Sequence, residues 1–234
     1  MRREIFGNAT LYLGDCRDIL QTLQPPDAVI ADPPYGMGYR SSYNSSRKGI
    51  GASMIRKDGN FKPIKGDFTP FDPTHLVALG VPTILWGANY YANMLPPSGC
   101  WLVWDKLAGK TPTPSSADVE LAWTNVRSPS RMFTHLWRGI IRAGEENVAN
   151  GRKLHPNQKP VALMDWCLGF VPSAKRITDP YMGSGSLGVA CLRRSLEYVG
   201  IDNDPQHFET ACRRLDDAAN DVIKANVDQV EGKP

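Results

Sequence analysis

Apolar residues in this chain fall into short runs closed by Gly, Pro or Asp, and these alternate with stretches of helical spacing. Thr10-Leu11-Tyr12-Leu13 alternates like a strand and stops at Gly14-Asp15. Ile19, Leu20 and Leu23 then predict a helix over 18–23, ended by Pro25-Pro26. Residues 27–31 read as a buried strand running into Asp32-Pro33-Pro34-Tyr35. Strand, helix, strand argues a parallel α/β unit. The same reasoning predicts helices over 73–80 and 88–95 and strands over 83–86 and 101–104. It also predicts two strands over 119–123 and 132–137, paired antiparallel at a sheet edge. Glu120 interrupts the first of these and reads as a satisfied edge residue with no catalytic part. A helix over 161–170 precedes a last compact unit: strand 175–178, glycine loop, helix 186–194, strand 197–201. The final helix runs over 205–224, with Phe208, Ala211, Cys212, Leu215 and Val222 on one face. Residues 227–234 read as a frayed tail. With no internal repeat and no domain-length linker, residues 1–234 form one domain.

Two stretches break the periodicity. Residues 36–66 hold Arg40, Arg47, Lys48, Arg56, Lys57, Lys62 and Lys65 against Asp58 alone, with Tyr39, Tyr43 and Phe61 among them. The stretch carries +6 in a chain whose net charge is +3, so the remainder is acidic. A solvated loop is one reading. A loop that closes over nucleic acid is the other, because basic residues interleaved with aromatics suit a nucleic-acid groove. Residues 139–154 are again irregular and basic. The 41% hydrophobic and 22% charged residues are ordinary for a soluble domain. No apolar run approaches the ~20 residues of a membrane span, and the start has no signal-peptide pattern. Five scattered cysteines without a CxxC pair read as reduced thiols of a cytoplasmic protein, and no metal site is indicated.

The chemistry concentrates in two turns. In Asp32-Pro33-Pro34-Tyr35, two prolines fix φ and remove both backbone donors. A carboxylate, free carbonyls and an aromatic ring thus leave a strand end together, where open α/β sheets bind ligands. The second turn is Asp179-Pro180-Tyr181-Met182-Gly183-Ser184-Gly185-Ser186. Gly183 to Gly188 satisfies G-x-G-x-x-G between a strand and a helix, and Asp202 follows at the next strand's end. Alone, that pattern favours a dinucleotide and hence a nicotinamide-dependent oxidoreductase. However, too little chain follows for two mononucleotide halves, and Asp179 would repel a pyrophosphate. S-adenosylmethionine, with adenosine and ammonium halves, fits better. Asp202 would take the ribose hydroxyls, Asp179 and the loop backbone the methionine part, and Asp15, beside Cys16, the adenine amino group. Asp202 and Asp204 could instead cap the helix that begins at Pro205; the ligand reading is preferred for Asp202 and the cap for Asp204.

These motifs resemble the S-adenosylmethionine-dependent DNA amino-methyltransferases in their permuted, beta-class order. The family's catalytic tetrapeptide matches Asp32 to Tyr35. Its cofactor loop matches Asp179 to Ser186, with Tyr181 for phenylalanine and Ser186 for threonine. Its His-Pro-x-Gln-Lys-Pro segment matches His155 to Pro160, and Gly14-Asp15 and Gly200-Ile201-Asp202 look like further family elements. The resemblance implies a Rossmann-like α/β domain with a largely parallel twisted sheet, helices on both faces and a small target-recognition insertion. It places the catalytic half at about 8–105, target recognition at about 106–153 and the cofactor half at about 155–224. His155, Gln158, Lys159 and Pro160 would adjoin the cofactor's methionine end.

The implied activity is methylation of an exocyclic base amine in flipped-out DNA, as in restriction–modification. Asp32 and the Pro33 carbonyl would accept the amine's N–H groups, and Tyr35 would stack on the base. An Asp-led tetrapeptide leans to adenine N6 and Ser-led ones to cytosine N4, which stays the alternative. Carbon methylation would need a Pro-Cys dipeptide, which the chain lacks. Arg40, Arg47 and Lys48 would touch DNA phosphates. A cofactor-binding but inactive DNA-binding module is a remoter reading. Members often dimerise, so a homodimer is an open expectation.

Overall fold

A nine-stranded sheet forms the centre of the molecule, and its strand order decides where the two turns meet. The computed structural model describes residues 2–36, 68–112, 117–138, 141–143 and 158–230. In chain order the strands are β1 (Arg2–Phe6), β2 (Ala9–Leu13), β3 (Ala28–Ala31), β4 (Thr83–Trp86), β5 (Trp101–Asp105), β6 (Val119–Thr124), β7 (Arg131–Thr134), β8 (Trp137–Arg138), β9 (Ile141–Arg142), β10 (Arg176–Asp179) and β11 (Glu197–Asp202). The helices are α1 (Cys16–Leu20), α2 (Thr74–Val77), α3 (Val161–Leu168), α4 (Ser186–Arg193) and α5 (Pro205–Val230). The sheet order is β1-β2-β11-β10-β3-β4-β6-β5-β7, with β8 and β9 as a separate hairpin. From β2 to β4 all neighbours are parallel, while β1 and β6 run antiparallel to theirs. This is the expected Rossmann-like, mostly parallel α/β sheet.

Both faces are covered, so the central strands read as continuous apolar runs. Ala28 and Ile30 point into one core with Leu163, Leu187 and Phe208 from α3, α4 and α5. Val29 and Ala31 point into the opposite core with Leu76 of α2 and Tyr91. Cys16 and Ile19 of α1 cover Val199 and Ile201 on that second side. Full burial of each large aliphatic such as Ile30 or Ile84 contributes about 1.5–3 kcal/mol of transfer free energy.

Several elements differ from their sequence pattern for identifiable reasons. β1 has no clear signature because an exposed edge strand need not be apolar: only Ile5 and Phe6 follow Arg2-Arg3-Glu4. α1 starts earlier than predicted because Asp15 caps it, accepting the Arg17 N–H at 2.9 Å. Residues 88–95 form two short 3₁₀ turns, Ala88–Tyr90 and Ala92–Met94, rather than a helix. Tyr91 breaks the path at φ −136° and anchors its hydroxyl on the Trp86 carbonyl at 2.7 Å. α5 continues to Val230, beyond the predicted end, since no Gly or Pro intervenes before Gly232.

The largest correction concerns β6. It is not an edge strand: it lies between β4 and β5, antiparallel to both, while β7 forms the edge parallel to β5. An antiparallel strand begins at the rim where its parallel neighbours end. Glu120 therefore sits at the carboxyl rim of the sheet.

Candidate active site

β10 and β3 are adjacent parallel strands whose continuations diverge. β10 leads through α4 to β11 on one side, and β3 leads towards β4 on the other. That is a topological switch point, where open α/β sheets form their ligand crevice. Asp179 ends β10 and Asp32 follows β3, so the chain's two chemical turns leave neighbouring strands.

Asp32 lies in an ionic chain. Its Oδ2 is 2.6 Å from Lys159 Nζ, and its Oδ1 accepts the Tyr35 hydroxyl at 2.5 Å. The Lys159 ammonium also donates to the Tyr35 oxygen at 3.2 Å and stands 3.1 Å from Glu120 Oε2. Glu120 Oε1 accepts from Lys106 Nζ at 2.8 Å. Charges thus alternate from Asp32 through Lys159 and Glu120 to Lys106. Burial pushes the Asp32 carboxyl up, and Lys159 only partly counters it. Burial would also raise Glu120, but Lys159 and Lys106 outweigh it and hold that carboxyl down at about 2. Lys159 stays charged: burial lowers it, and Asp32 and Glu120 more than compensate.

The Tyr35 ring stacks on Tyr90, centroids 5.1 Å apart and planes 15° from parallel. Gly87 makes room for it. A Cβ there would meet Tyr35 Cε1 at 1.9 Å, and its φ of +69° suits glycine alone.

The second turn is a cradle. Asp202 Oδ2 accepts the Gly183 N–H at 2.9 Å, and Oδ1 accepts that of Asp204 at 2.8 Å. Asp204 caps α5 through the Gln206 N–H at 2.7 Å, as expected. Gly185 takes φ +78°, and a Cβ would lie 2.7 Å from Leu215 Cδ1, so α4 starts close against α5. Arg214 Nη1 braces the loop through the Ser184 carbonyl at 2.8 Å and the Ser184 and Ser186 hydroxyls at 3.0 Å each. Asp179 is 6% exposed and accepts the Tyr181 N–H at 3.1 Å. Burial, with Asp32 and Asp202 nearby, pushes its carboxyl up to about 8. Among the described residues it forms no ion pair, so a cationic group brought beside it would favour its ionised form and be held by it. That suits an ammonium or sulfonium and repels a pyrophosphate.

The family model for N6/N4 methyltransferases, described as DNA methylase, matches residues 102–213. A curated relative, the Type II methyltransferase M2.MboI of Moraxella bovis, is 24% identical across 88% of this chain and 87% of its own length. Over residues 102–213, just under half of its length, the chain is similar to the DNA amino-methyltransferase family. Another relative, the Type II methyltransferase M2.LlaDCHI of Lactococcus lactis subsp. cremoris, is 31% identical over 38% of this chain and 32% of its own. A PvuII DNA methyltransferase, cytosine-N4-specific, shares the fold at TM-score 0.55 and 13% identity, covering 94% of each chain. The family's cofactor is S-adenosylmethionine, its substrate DNA and its acceptor a base amine, adenine N6 or cytosine N4. No described helix is long and apolar enough to cross a membrane.

The structure brings Asp32, Pro33, Pro34, Tyr35 and Lys159 together, and separately gathers Asp179 to Ser186 with Asp202. Asp15 and Cys16 join this second group through the Gly14 N–H to the Asp202 carbonyl at 2.9 Å. The tyrosine at 181 uses its extra hydroxyl on His75 Nε2, at 3.2 Å. Gln158 holds Trp137 Nε1 on its carbonyl at 3.0 Å, and Pro160 precedes α3 in extended conformation. His155, Arg40, Arg47 and Lys48 lie outside the described residues. Glu120, Lys106, Arg214, Gly87 and Tyr90 escaped the sequence reading. Only Glu120 left a trace there, as a charge inside an apolar run.

Two outcomes follow for the cofactor. Arg214→Ala should raise the KM for S-adenosylmethionine about tenfold with kcat within twofold in steady-state kinetics, because it loosens binding without touching the reacting atoms. Cofactor affinity by calorimetry should peak near pH 8. Below it Asp179 binds a proton that the cation must displace, weakening affinity by up to about tenfold per unit. Above it an amino group of pKa ~8 loses its own charge. Asp179→Asn should remove the acid limb.

Proposed function

We propose that this protein methylates adenine N6 in DNA, acting on a base turned out of the duplex. The observation that carries the reading is Asp32, a carboxylate on a proline-fixed turn directly beside the cofactor cradle. An exocyclic amine is a poor nucleophile because its lone pair is delocalised into the ring. Asp32 and the Pro33 carbonyl accept its two N–H groups and so favour a tetrahedral nitrogen. When bound, S-adenosylmethionine supplies an electrophilic methyl carbon whose bond electrons stay on sulfur as the new N–C bond forms. The nitrogen then sheds one proton, and the Asp32 carboxylate, raised by burial, is the adjacent acceptor. Tyr35, held against Tyr90, stacks on the base; such contacts are worth ~1–3 kcal/mol, comparable with the cost of unstacking it.

Asp202 takes the ribose hydroxyls on the lone pairs its backbone donors leave over. Asp179, with the loop backbone from Pro180 to Ser186, holds the methionine part, and Asp15 beside Cys16 reads the adenine ring. His155, Gln158, Lys159 and Pro160 border the methionine end. Arg40, Arg47 and Lys48 contact phosphates, residues 106–153 select the target, and the enzyme works in the cytoplasm as part of restriction–modification, with a homodimer as one assembly open to it. The adenine preference rests on the aspartate that leads the tetrapeptide. Sequencing DNA modified by the enzyme, with a method that reports methylated bases in context, tests it. Methyl groups on adenine within one short motif are expected; modified cytosines within a fixed motif would overturn adenine in favour of cytosine N4.

A further inference from the structure

Asp32 already accepts on both oxygens, the Tyr35 hydroxyl on Oδ1 and the Lys159 ammonium on Oδ2, so a base amine arriving there competes with them. Oδ2 is held by Lys159 at 2.6 Å, and the lysine side chain is only 7% exposed. An ammonium released there has no bulk water to turn to, and an unpaired charge at such a depth is strongly unfavourable. The alternative acceptor is already in place. Glu120 Oε2 stands 3.1 Å from Lys159 Nζ, yet it is enclosed and accepts no hydrogen bond among the described residues. It already forms an ion pair with the ammonium and has no other partner among the described residues. Lys106 fixes the other oxygen at 2.8 Å, so the carboxylate is pinned while its second oxygen stays open towards Lys159. The ammonium carries three rotatable donors and needs only to turn.

We propose that Glu120 is a positioning residue for methyl transfer: it holds the Lys159 ammonium while Asp32 exchanges that ammonium for the amine of the base. Glu120 touches neither base nor cofactor in this scheme, and no covalent bond changes. Lys159 keeps a carboxylate partner throughout, and Asp32 becomes free to accept an N–H. The inference rests on Asp32 receiving the base amine.

The pH dependence of kcat separates this role from a purely structural one. Asp32 is faced by Lys159, Tyr35, Glu120, Tyr91 and Asp179; Glu120 is faced by Lys106, Lys159, Asp32 and Tyr35. Glu120→Gln removes a negative neighbour from Asp32 and leaves Lys159 with no other carboxylate. The acid limb of kcat should therefore move to lower pH, while the plateau falls at least tenfold and the KM for S-adenosylmethionine stays within threefold. Glu120→Asp should recover most of the plateau. If Glu120→Gln does not fold, as judged by cofactor binding, the paired replacement Glu120→Gln with Lys106→Gln keeps the local charge balance and should give the same result. A plateau within twofold of wild type, or an acid limb unmoved or moved upward, overturns the proposal. Asp32→Ala, assayed alongside, distinguishes the failures: if it is inactive while Glu120→Gln is normal, only this inference falls, and if it is active the amine-gripping role of Asp32 falls as well.

Discussion

Asp32→Ala is expected to lower methyl transfer by about 10³-fold or more while leaving S-adenosylmethionine affinity within a few-fold of wild type. On the proposed mechanism, the substitution removes the acceptor that shapes the amine and the base adjacent to its departing proton. Such electrostatic and proton-transfer contributions are each typically worth ~10²–10⁴-fold. The fold should tolerate the change, because Lys159 keeps Glu120 at 3.1 Å and no buried charge is orphaned. Asp32→Asn should lie between, at about 10²-fold, since an amide oxygen still accepts a hydrogen bond but takes no proton. Initial rates with labelled cofactor at saturation, together with calorimetric cofactor binding, check both. An Asp32→Ala enzyme within tenfold of wild type would contradict the mechanism.

Gly87→Ala should be nearly as damaging, although Gly87 has no side chain with which to hold base or cofactor. A Cβ at this position would occupy the space of the Tyr35 ring, 1.9 Å from Cε1 and 2.3 Å from Cζ. Tyr35 would have to leave its stack on Tyr90 and its hydrogen bond to Asp32, and an alanine at φ +69° adds backbone strain. Displacing a positioning group by about 1 Å can cost ~10²-fold in rate, and that is the loss expected in kcat, with the KM for the cofactor little changed. Tyr35→Ala, which vacates the space Gly87 provides, should mask the effect: Gly87→Ala in that background should cost less than threefold more. Equal losses in both backgrounds would show that Gly87 acts elsewhere.

Both turns at the switch point were legible in the sequence because proline, glycine and aspartate at strand ends have few structural reasons to occur together. Strands β3, β4, β10 and β11 were legible because both their faces are buried, which writes an unbroken apolar run. What escaped depends on long-range neighbours. β1 is an exposed edge with nothing apolar to announce it, and residues 88–95 have helical spacing but are diverted by Tyr91 reaching back to Trp86. Arg214 looked like one more charge on an amphipathic helix. Glu120 is the instructive case. Its charge within an apolar run suggested an edge, yet an interior antiparallel strand delivers its first residues to the rim where the parallel strands end. No local pattern separates those two situations; the pairing of β6 with β4 and β5 does. The same pairing turned Lys159 from a motif residue into the centre of an ionic chain.

The most direct test of the central claim is chemical. DNA incubated with the protein and methyl-labelled S-adenosylmethionine is digested to nucleosides, and the labelled product is identified by mass spectrometry. Label on the exocyclic nitrogen of adenine, absent with Asp32→Ala, is the expected result. Label on cytosine N4 alone would contradict adenine as the acceptor, and label on carbon 5 of cytosine, or on no nucleoside amine at all, would contradict amine methylation itself.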